Sequence, residues 1–292
     1  MSSMTIETFV STIAALSGLV AIAGSMLATG LSLTTAQIIQ PLKNTRLVLL
    51  ALLANFVLVP LLAFGITRLI PLDEPLKIGL MVLATVAGAP FLVMEAKAAQ
   101  GDLPLSVGLM FMLMIVTIFY APIVLPLLLP GAAVNGVEIA KSLIVTMLIP
   151  IVLGLFYRSH SPENAQQWAP VLNKASSVGL LIMFAAGLGL NISNIISLIG
   201  SRGFLALLLF IVGSLLIGMA MGGRDTAVRN VLGLGTAQRN VAAAVLVATL
   251  NFSGTMTFPY VLVAGIFLPL ILIPTARRLG GRVQLVEQTA VT

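Results

Sequence analysis

Cysteine is absent from all 292 residues, and there is a single histidine and a single tryptophan. Without cysteine there is no disulfide, no thiolate metal site and no cysteine nucleophile. The lone His160 sits in a polar link with no second ligand near it in sequence, so a zinc site has no support. Charge is as scarce: Asp, Glu, Lys and Arg make up 8% of the chain, against about a quarter of a soluble domain. A surface so poor in charge must face something other than water. No basic stretch is interleaved with aromatics, so the net charge of +6 is not the footprint of a nucleic-acid partner, and none is expected. A GxxxxGKS/T phosphate loop is missing, and Gly233-Leu-Gly235 is too short to cradle a dinucleotide. No HExxH and no close acidic pair lie inside the apolar runs, so an intramembrane enzyme is not expected. Met1 to Glu7 lacks a basic flank, and the apolar run after it is too long for a secretory leader.

What the chain has is hydrocarbon, with 59% of its residues hydrophobic. Nine apolar segments are predicted, at 9–32, 45–70, 75–101, 104–129, 137–157, 168–190, 204–222, 226–251 and 257–276. Each is near the ~20 residues needed to cross a bilayer core. The links between them are short and polar, such as Gln40-Pro-Leu-Lys-Asn-Thr-Arg46 and Gly222-Gly-Arg-Asp225, and none separates two soluble domains. The expectation is an all-α polytopic membrane protein with nine transmembrane helices, one domain over residues 1–292, with the lipid bilayer as its main partner. Nine spans put the termini on opposite sides. One side then receives Lys43, Arg46, Arg158, Lys174, Arg224, Arg229, Arg277, Arg278 and Arg282, and the other Arg68, Lys77, Lys141 and Arg202. The positive-inside rule therefore predicts an external N-terminus and a cytoplasmic C-terminus in a cell (inner) membrane.

Two segments differ from the rest. The third carries Thr85-Val-Ala-Gly-Ala-Pro-Phe-Leu-Val-Met-Glu-Ala-Lys97, and the eighth carries Gly233-Leu-Gly-Thr-Ala-Gln-Arg-Asn240. Gly and Pro weaken a helical ladder and free its backbone groups. Such groups are tolerated at membrane depth only where protein or a wet cavity satisfies them. Each broken segment also follows a plain span that itself follows a polar-ended one, closing on Gly30-Leu-Ser-Leu33 or Gly187-Leu-Gly-Leu190. Paired interrupted helices in two inverted halves point to the midplane site of a secondary transporter. The halves are expected at 9–129, with four helices, and 137–276, with five.

Gly30-Leu-Ser-Leu-Thr34, Asn55-Phe-Val-Leu-Val-Pro-Leu-Leu-Ala-Phe64, Ala99-Gln-Gly-Asp-Leu-Pro-Leu-Ser106 and the run from Gln238 to Phe252 resemble, in order, the bile acid:sodium symporter family. The resemblance implies a panel domain and a core domain, two broken helices crossing in the core, a small organic anion as substrate, a sodium gradient as driving force, and a monomer. It also implies sodium-binding side chains, and here this sequence departs from it. Leu92 and Val93 stand where the family carries a Ser-Asn pair. Leu234, or Gly235 in the alternative register, stands where it carries a Glu, and Asn55 replaces a longer Gln. Hydrocarbon side chains offer sodium no oxygen, so coupling by those side chains is not expected, and no other cofactor is.

Charges appear instead at Glu95, Lys97 and Arg239. Lys97 lies near its segment's end, where its stem can carry the ammonium to the surface. Arg239 lies near the middle of a span, where a charge normally faces a bundle interior or a wet cavity. Two readings stay open for it. In one it replaces the sodium ion as a fixed positive charge, pairing with Glu95 when the site is empty and holding a carboxylate in its planar fork when loaded. In the other, an Arg239–Glu95 pair only pins the helices. Glu95 is also the candidate for proton coupling. Gln238, Asn240 and Asn55 are candidate substrate or ion ligands, or plain interhelical hydrogen bonders, and Pro90 marks the first break. Ser32, Thr34 and Thr35 are expected to cap a helix end. The function expected is alternating-access carriage of a small carboxylate; a proton-coupled or exchange carrier, a channel and an uncoupled sensor are the alternatives.

Overall fold

The structure, a computed structural model, describes residues 6–130, 134–252 and 254–291, with side chains described only between Phe9 and Gly281; Arg282, counted above, lies outside that range. All the regular structure among the described residues is helical, in thirteen helices here numbered α1 to α13. They are α1 (Ile6–Ser32), α2 (Thr35–Leu42), α3 (Thr45–Leu69), α4 (Glu74–Thr85), α5 (Phe91–Ala98), α6 (Leu103–Leu128) and α7 (Gly136–His160). After a turn at Ser161 come α8 (Pro162–Leu190), α9 (Ile192–Leu198), α10 (Arg202–Met221), α11 (Thr226–Ala237), α12 (Val241–Asn251) and α13 (Thr257–Val291).

The link residues cap these helices. Asn44, Asp102, Asn135, Ser201 and Asp225 each accept a first-turn amide, relieving donors that no helix can satisfy internally. Of the expected caps around residue 33, only Thr34 serves, in a capping box with Gln37. Ser32 instead bonds back to Ala28 O, and Thr35 opens α2.

Among the described residues eight stretches are long and apolar enough to cross a membrane, and they coincide with eight of the nine predicted segments. The third segment, 75–101, is the exception: it is divided into α4 and α5, each too short to span alone. Its break runs through Val86 to Pro90, where Gly88 has φ +78°. The eighth segment is likewise divided into α11 and α12 at Gln238-Arg239-Asn240. The polar link expected around His160 is mostly helix, and His160 ends α7 with its Nδ1 beside Phe156 O. Two π-helical turns, at Ala54–Leu58 in α3 and Ile144–Leu148 in α7, lie just ahead of Pro60 and Pro150. Proline has no N–H to close the ladder, and the wide turn takes up the slack.

Packing separates an outer ring from a centre. Leu61, Ile123, Leu181, Leu216 and Leu270 point outward and exposed, as lipid-facing residues should. Within an 18-residue apolar window of each span, 22% of the residues are buried in Phe9–Ser32, against 89% in Thr226–Asn251. The broken helices are thus the centre of the molecule. Small residues let the surrounding helices close up. Gly30 lies against Gly154, where an added Cβ would come within 2.3 Å of Ile151 O, which explains the glycine in the Gly30-Leu-Ser-Leu motif. Along α1 and α8, Gly24 meets Ser176 and Gly179 meets Ser17 in the same way.

Candidate functional site at the crossed breaks

The two breaks touch. Asn240 N donates to Val86 O at 3.4 Å, and Asn240 Nδ2 donates to Gly88 O at 3.2 Å, while Asn240 Oδ1 caps α12 by accepting from Ala243 N at 3.1 Å. On the other side of the first break, Ala87 is held by α6: its N donates to Thr117 Oγ1 at 2.9 Å, and Thr117 Oγ1 donates to Ala87 O at 3.2 Å. Freed backbone groups are therefore satisfied by three side chains from elsewhere in the chain, as burial at membrane depth requires.

Arg239 is the third of these, and it is fully buried, at 0% exposed. Its Nε donates to Leu83 O at 2.9 Å and one terminal nitrogen donates to Ala84 O at 2.9 Å, the freed carbonyls in the last turn of α4. The other terminal nitrogen donates to Asn55 Oδ1 at 3.0 Å and Thr236 O at 3.1 Å. A cation at a helix C-terminus also meets the negative end of the helix dipole. Asn55, fully buried in the π-turn of α3, completes the hub by donating Nδ2 to Ala51 O and Thr236 Oγ1. The hydroxyl fits because residue 218 is glycine, where a Cβ would lie 2.6 Å from it.

The expected Arg239–Glu95 pair does not form. Among the described residues the one ion pair is Lys77–Glu74, at 3.1 Å. Glu95 is buried with neither carboxylate oxygen hydrogen-bonded. The physical reason is the freed α4 carbonyls: they present a fork-shaped set of acceptors to the guanidinium at no cost in charge, so the arginine spends its fork on backbone. Four of its bonds are to protein oxygens, which also removes the expected bidentate grip on a substrate carboxylate. Lys97 is exposed in the last turn of α5, in keeping with a snorkelling side chain. Thr85 bonds back to Val82 O.

A cavity of about 220 Å³ lies beside this hub, between the breaks and the α1/α8 pair. Pro90 and Phe91 from the start of α5, and Asn240, Val241 and Ala242 from the start of α12, form one wall with Gln238 and Arg239. Both half-helices therefore present their N-terminal, positive ends to the same space. Ser25 of α1 and Asn173, Ser176 and Ser177 of α8 form the facing wall. A larger cavity, about 820 Å³, lies towards the N-terminal end of α1 and is lined by Ala14, Gly18, Asn191, Thr249 and Phe258. Met183 lines both cavities and separates them.

The sequence expectations thus meet in part. Arg239, Gln238, Asn240 and Pro90 share the smaller cavity, Asn55 lies behind Arg239, and Glu95 lies outside the cavity lining. The Asn173/Ser176/Ser177 face was missed, although its i, i+3, i+4 polar spacing inside a predicted span was a readable signal. Thr117 was missed for want of any signal, being a lone hydroxyl 30 residues from its partner.

A model of the sodium bile acid symporter family matches residues 19–198, more than half of the chain. The chain belongs to the sodium bile acid symporter family. It is 24% identical over 248 residues to a probable sodium/metabolite cotransporter BASS3, chloroplastic, of Oryza sativa subsp. japonica, covering 82% of this chain and 58% of that protein. The Arabidopsis thaliana protein of the same name is 24% identical over 178 residues, 61% of this chain and 41% of its own length. The chain therefore spans roughly half the length of the relatives it matches. Members of this family are transporters rather than enzymes, so the broken helices belong to a multi-pass membrane protein of a transporter family. Two of the positions where the resemblance expects sodium-binding oxygens meet as hydrocarbon: a Cβ on Gly235 would lie 3.0 Å from Leu92 Cδ2, and Leu234, the other register, is wholly buried; the oxygen of Asn55 accepts from Arg239. The residues present do not fit the family's side-chain sodium ligands.

Proposed function

We propose that this protein is a secondary carrier of small organic anions, carboxylates above all, that uses Arg239 in place of a bound sodium ion. The observation that carries the proposal is the convergence of two helix N-termini and one buried guanidinium on a single small cavity. Partial positive charge from helix ends and a full charge from Arg239 favour an anion there without a diffusible cation. Gln238 and the serines of the facing wall supply neutral donors. The volume, about 220 Å³, is below the ~300 Å³ at which drug-sized ligand pockets begin, which favours a small metabolite over a sterol.

In this reading the protein crosses the membrane nine times, with α4 and α5 together making the third crossing. The repeats run over 9–129 and 137–276, and the protein works as a monomer with its N-terminus external in a cell (inner) membrane. A panel of α1, α7 and α8 stands beside a core that carries both breaks, and alternating access follows from movement of one against the other. The test is the melting temperature of the purified protein with a panel of small carboxylates in sodium and in potassium buffers. Ligand at a hundred times its Kd stabilises the native state by about 2.7 kcal/mol. Stabilisation that is equal in the two buffers is expected. Stabilisation only in sodium would overturn the sodium-free reading, and none from any carboxylate would overturn the anion reading.

A further inference from the structure

Acceptors outnumber donors along the seam between α5 and α11. Glu95 Oε1 and Oε2 on α5, Asn230 Oδ1 on α11 and Gln238 Oε1 at its end are all buried without a hydrogen-bond partner. The orientation of Asn230 is fixed, because its Nδ2 donates to Ala99 O at 3.0 Å. Glu95 stands one turn before Ala99 and three residues after Leu92, on the strip of α5 that meets α11 at Asn230 and Gly235. Buried carboxylates are normally paired, because an ion stripped of water and left alone in hydrocarbon is too costly and is neutralised instead.

The charged and titratable groups on the packed elements do not answer this carboxyl. On α6, the cap Asp102 accepts from Leu105 N, and Tyr120 donates to Phe56 O. On α13, Tyr260 donates to Gly203 O, and Arg277 and Arg278 are exposed. On α11, the N-cap Asp225 accepts from Val228 N. Arg229 has a buried Nε without a partner, but its backbone is turned onto α10, where a Cβ on Gly222 would lie 2.3 Å from its Cα. Lys97, on α5 itself, is exposed. A divalent metal ion would need several charged or imidazole ligands, and no group of three or more such side chains that could hold one occurs among the described residues. A proton needs only the carboxyl.

We propose that Glu95 is the proton-binding site of this carrier, occupied as the neutral acid in the conformation seen here. The inference rests on the anion reading above and supplies its coupling ion. The step is simple to balance: the carboxylate takes one proton from water on the side to which the core is open, and returns it on the other side. Charge then closes in both crossing forms. A loaded core carries the Arg239 guanidinium, one monocarboxylate anion and a neutral Glu95. An empty core carries Arg239 and an ionised Glu95. Each sums to zero, the condition under which a core moves through a low-dielectric layer at least cost. The structure, with Arg239 charged and Glu95 neutral, is the form ready for an anion.

Infrared spectroscopy of the protein in lipid vesicles at neutral pH, without substrate, reads the site directly. The expected result is a protonated-carboxyl C=O band in the parent that shifts in heavy water and is lost in Glu95→Gln. A parent spectrum with no such band, or one unchanged in Glu95→Gln, would overturn the proposal. If Glu95→Gln does not fold, Glu95→Asp serves instead, and the band must move with the shorter side chain. No substrate enters this measurement. A missing band therefore removes the proton site and leaves anion carriage standing, whereas carboxylates that fail to stabilise the protein remove the anion reading and leave the band in place.

Discussion

At the scale of single residues, the unusual chemistry is concentrated in Arg239. Its guanidinium takes oxygens from Leu83, Ala84, Thr236 and Asn55, the kind of ligand set a hard cation would want, and brings the positive charge with it on a tether. Replacing it with Gln leaves those carbonyls short of donors. We expect a loss of at least ~2 kcal/mol, since each bond to a charged group is worth about 1.5–3 kcal/mol, together with loss of carboxylate uptake. Arg239→Lys separates clamp from charge. Lysine keeps the charge but lacks the planar fork, so partial uptake in a less stable protein is expected, measured by melting and by flux. A lysine variant as inactive as the glutamine variant would mean that the geometry of the clamp, not its charge, sustains transport. Arg239 and Glu95 were both visible in the sequence as charges inside spans. That they do not pair was not visible, because the competing ligands are backbone carbonyls that exist only once α4 has ended.

At the scale of elements, each break is held open by a contact with a helix distant in sequence. Thr117 on α6 fastens Ala87 through both its N–H and its carbonyl. Thr117→Val keeps the shape and removes both bonds, and a loss of about 1–3 kcal/mol is expected for buried backbone groups left unpaired. Gly88 is more demanding. Its φ of +78° is in the left-handed region, and a Cβ there would lie 2.2 Å from Met114 N. Gly88→Ala is therefore expected to cost more than about 4 kcal/mol, the range reserved for backbone strain and overpacking together. Folded yield in detergent checks it, and a normally stable Gly88→Ala protein would contradict the close approach of the first break to α6. The first break was legible because Gly88 and Pro90 lie in it, whereas Gly233 and Gly235 only neighbour the second, standing in regular helix in α11 just ahead of Gln238. Which helices would hold the breaks was not legible, because no local pattern records a contact between positions 87 and 117.

At the scale of the whole molecule, Met183 separates a large cavity at the N-terminal end of α1 from the small one at the breaks. In the proposed orientation, with the N-terminus external, the larger cavity would open outward and the wall of Asn173 and Ser177 would face the cytoplasm. The absence of native cysteine makes this measurable with single substitutions. A membrane-impermeant maleimide is expected to label Asn191→Cys from outside only and Ser177→Cys from inside only. Labelling of both from one side would contradict either the orientation or the septum. Adding Met183→Ala to the Ser177→Cys protein is expected to let the outside reagent through, as the two cavities join. Charge balance between Arg239, Glu95 and the substrate leads to one further expectation. Uptake of whichever carboxylate stabilises the protein should rise with external acidity, persist without sodium and move no net charge across a vesicle membrane, as a potential-sensitive dye would report.

Composition and periodicity were sufficient to determine a helical membrane protein, eight of its spans to within a few residues at most ends, and the two places where the helix fails. Those follow from local chemistry: apolar length, capping side chains, glycine and proline. The third predicted span became two half-helices because its break frees carbonyls that only a folded neighbour can satisfy. The division of labour inside the site also belonged to tertiary structure alone. Arg239 bonds backbone, Glu95 is left without a partner, and two helix N-termini meet at one cavity because α5 and α12 converge from positions about 150 residues apart, a distance over which sequence pattern carries no geometric information.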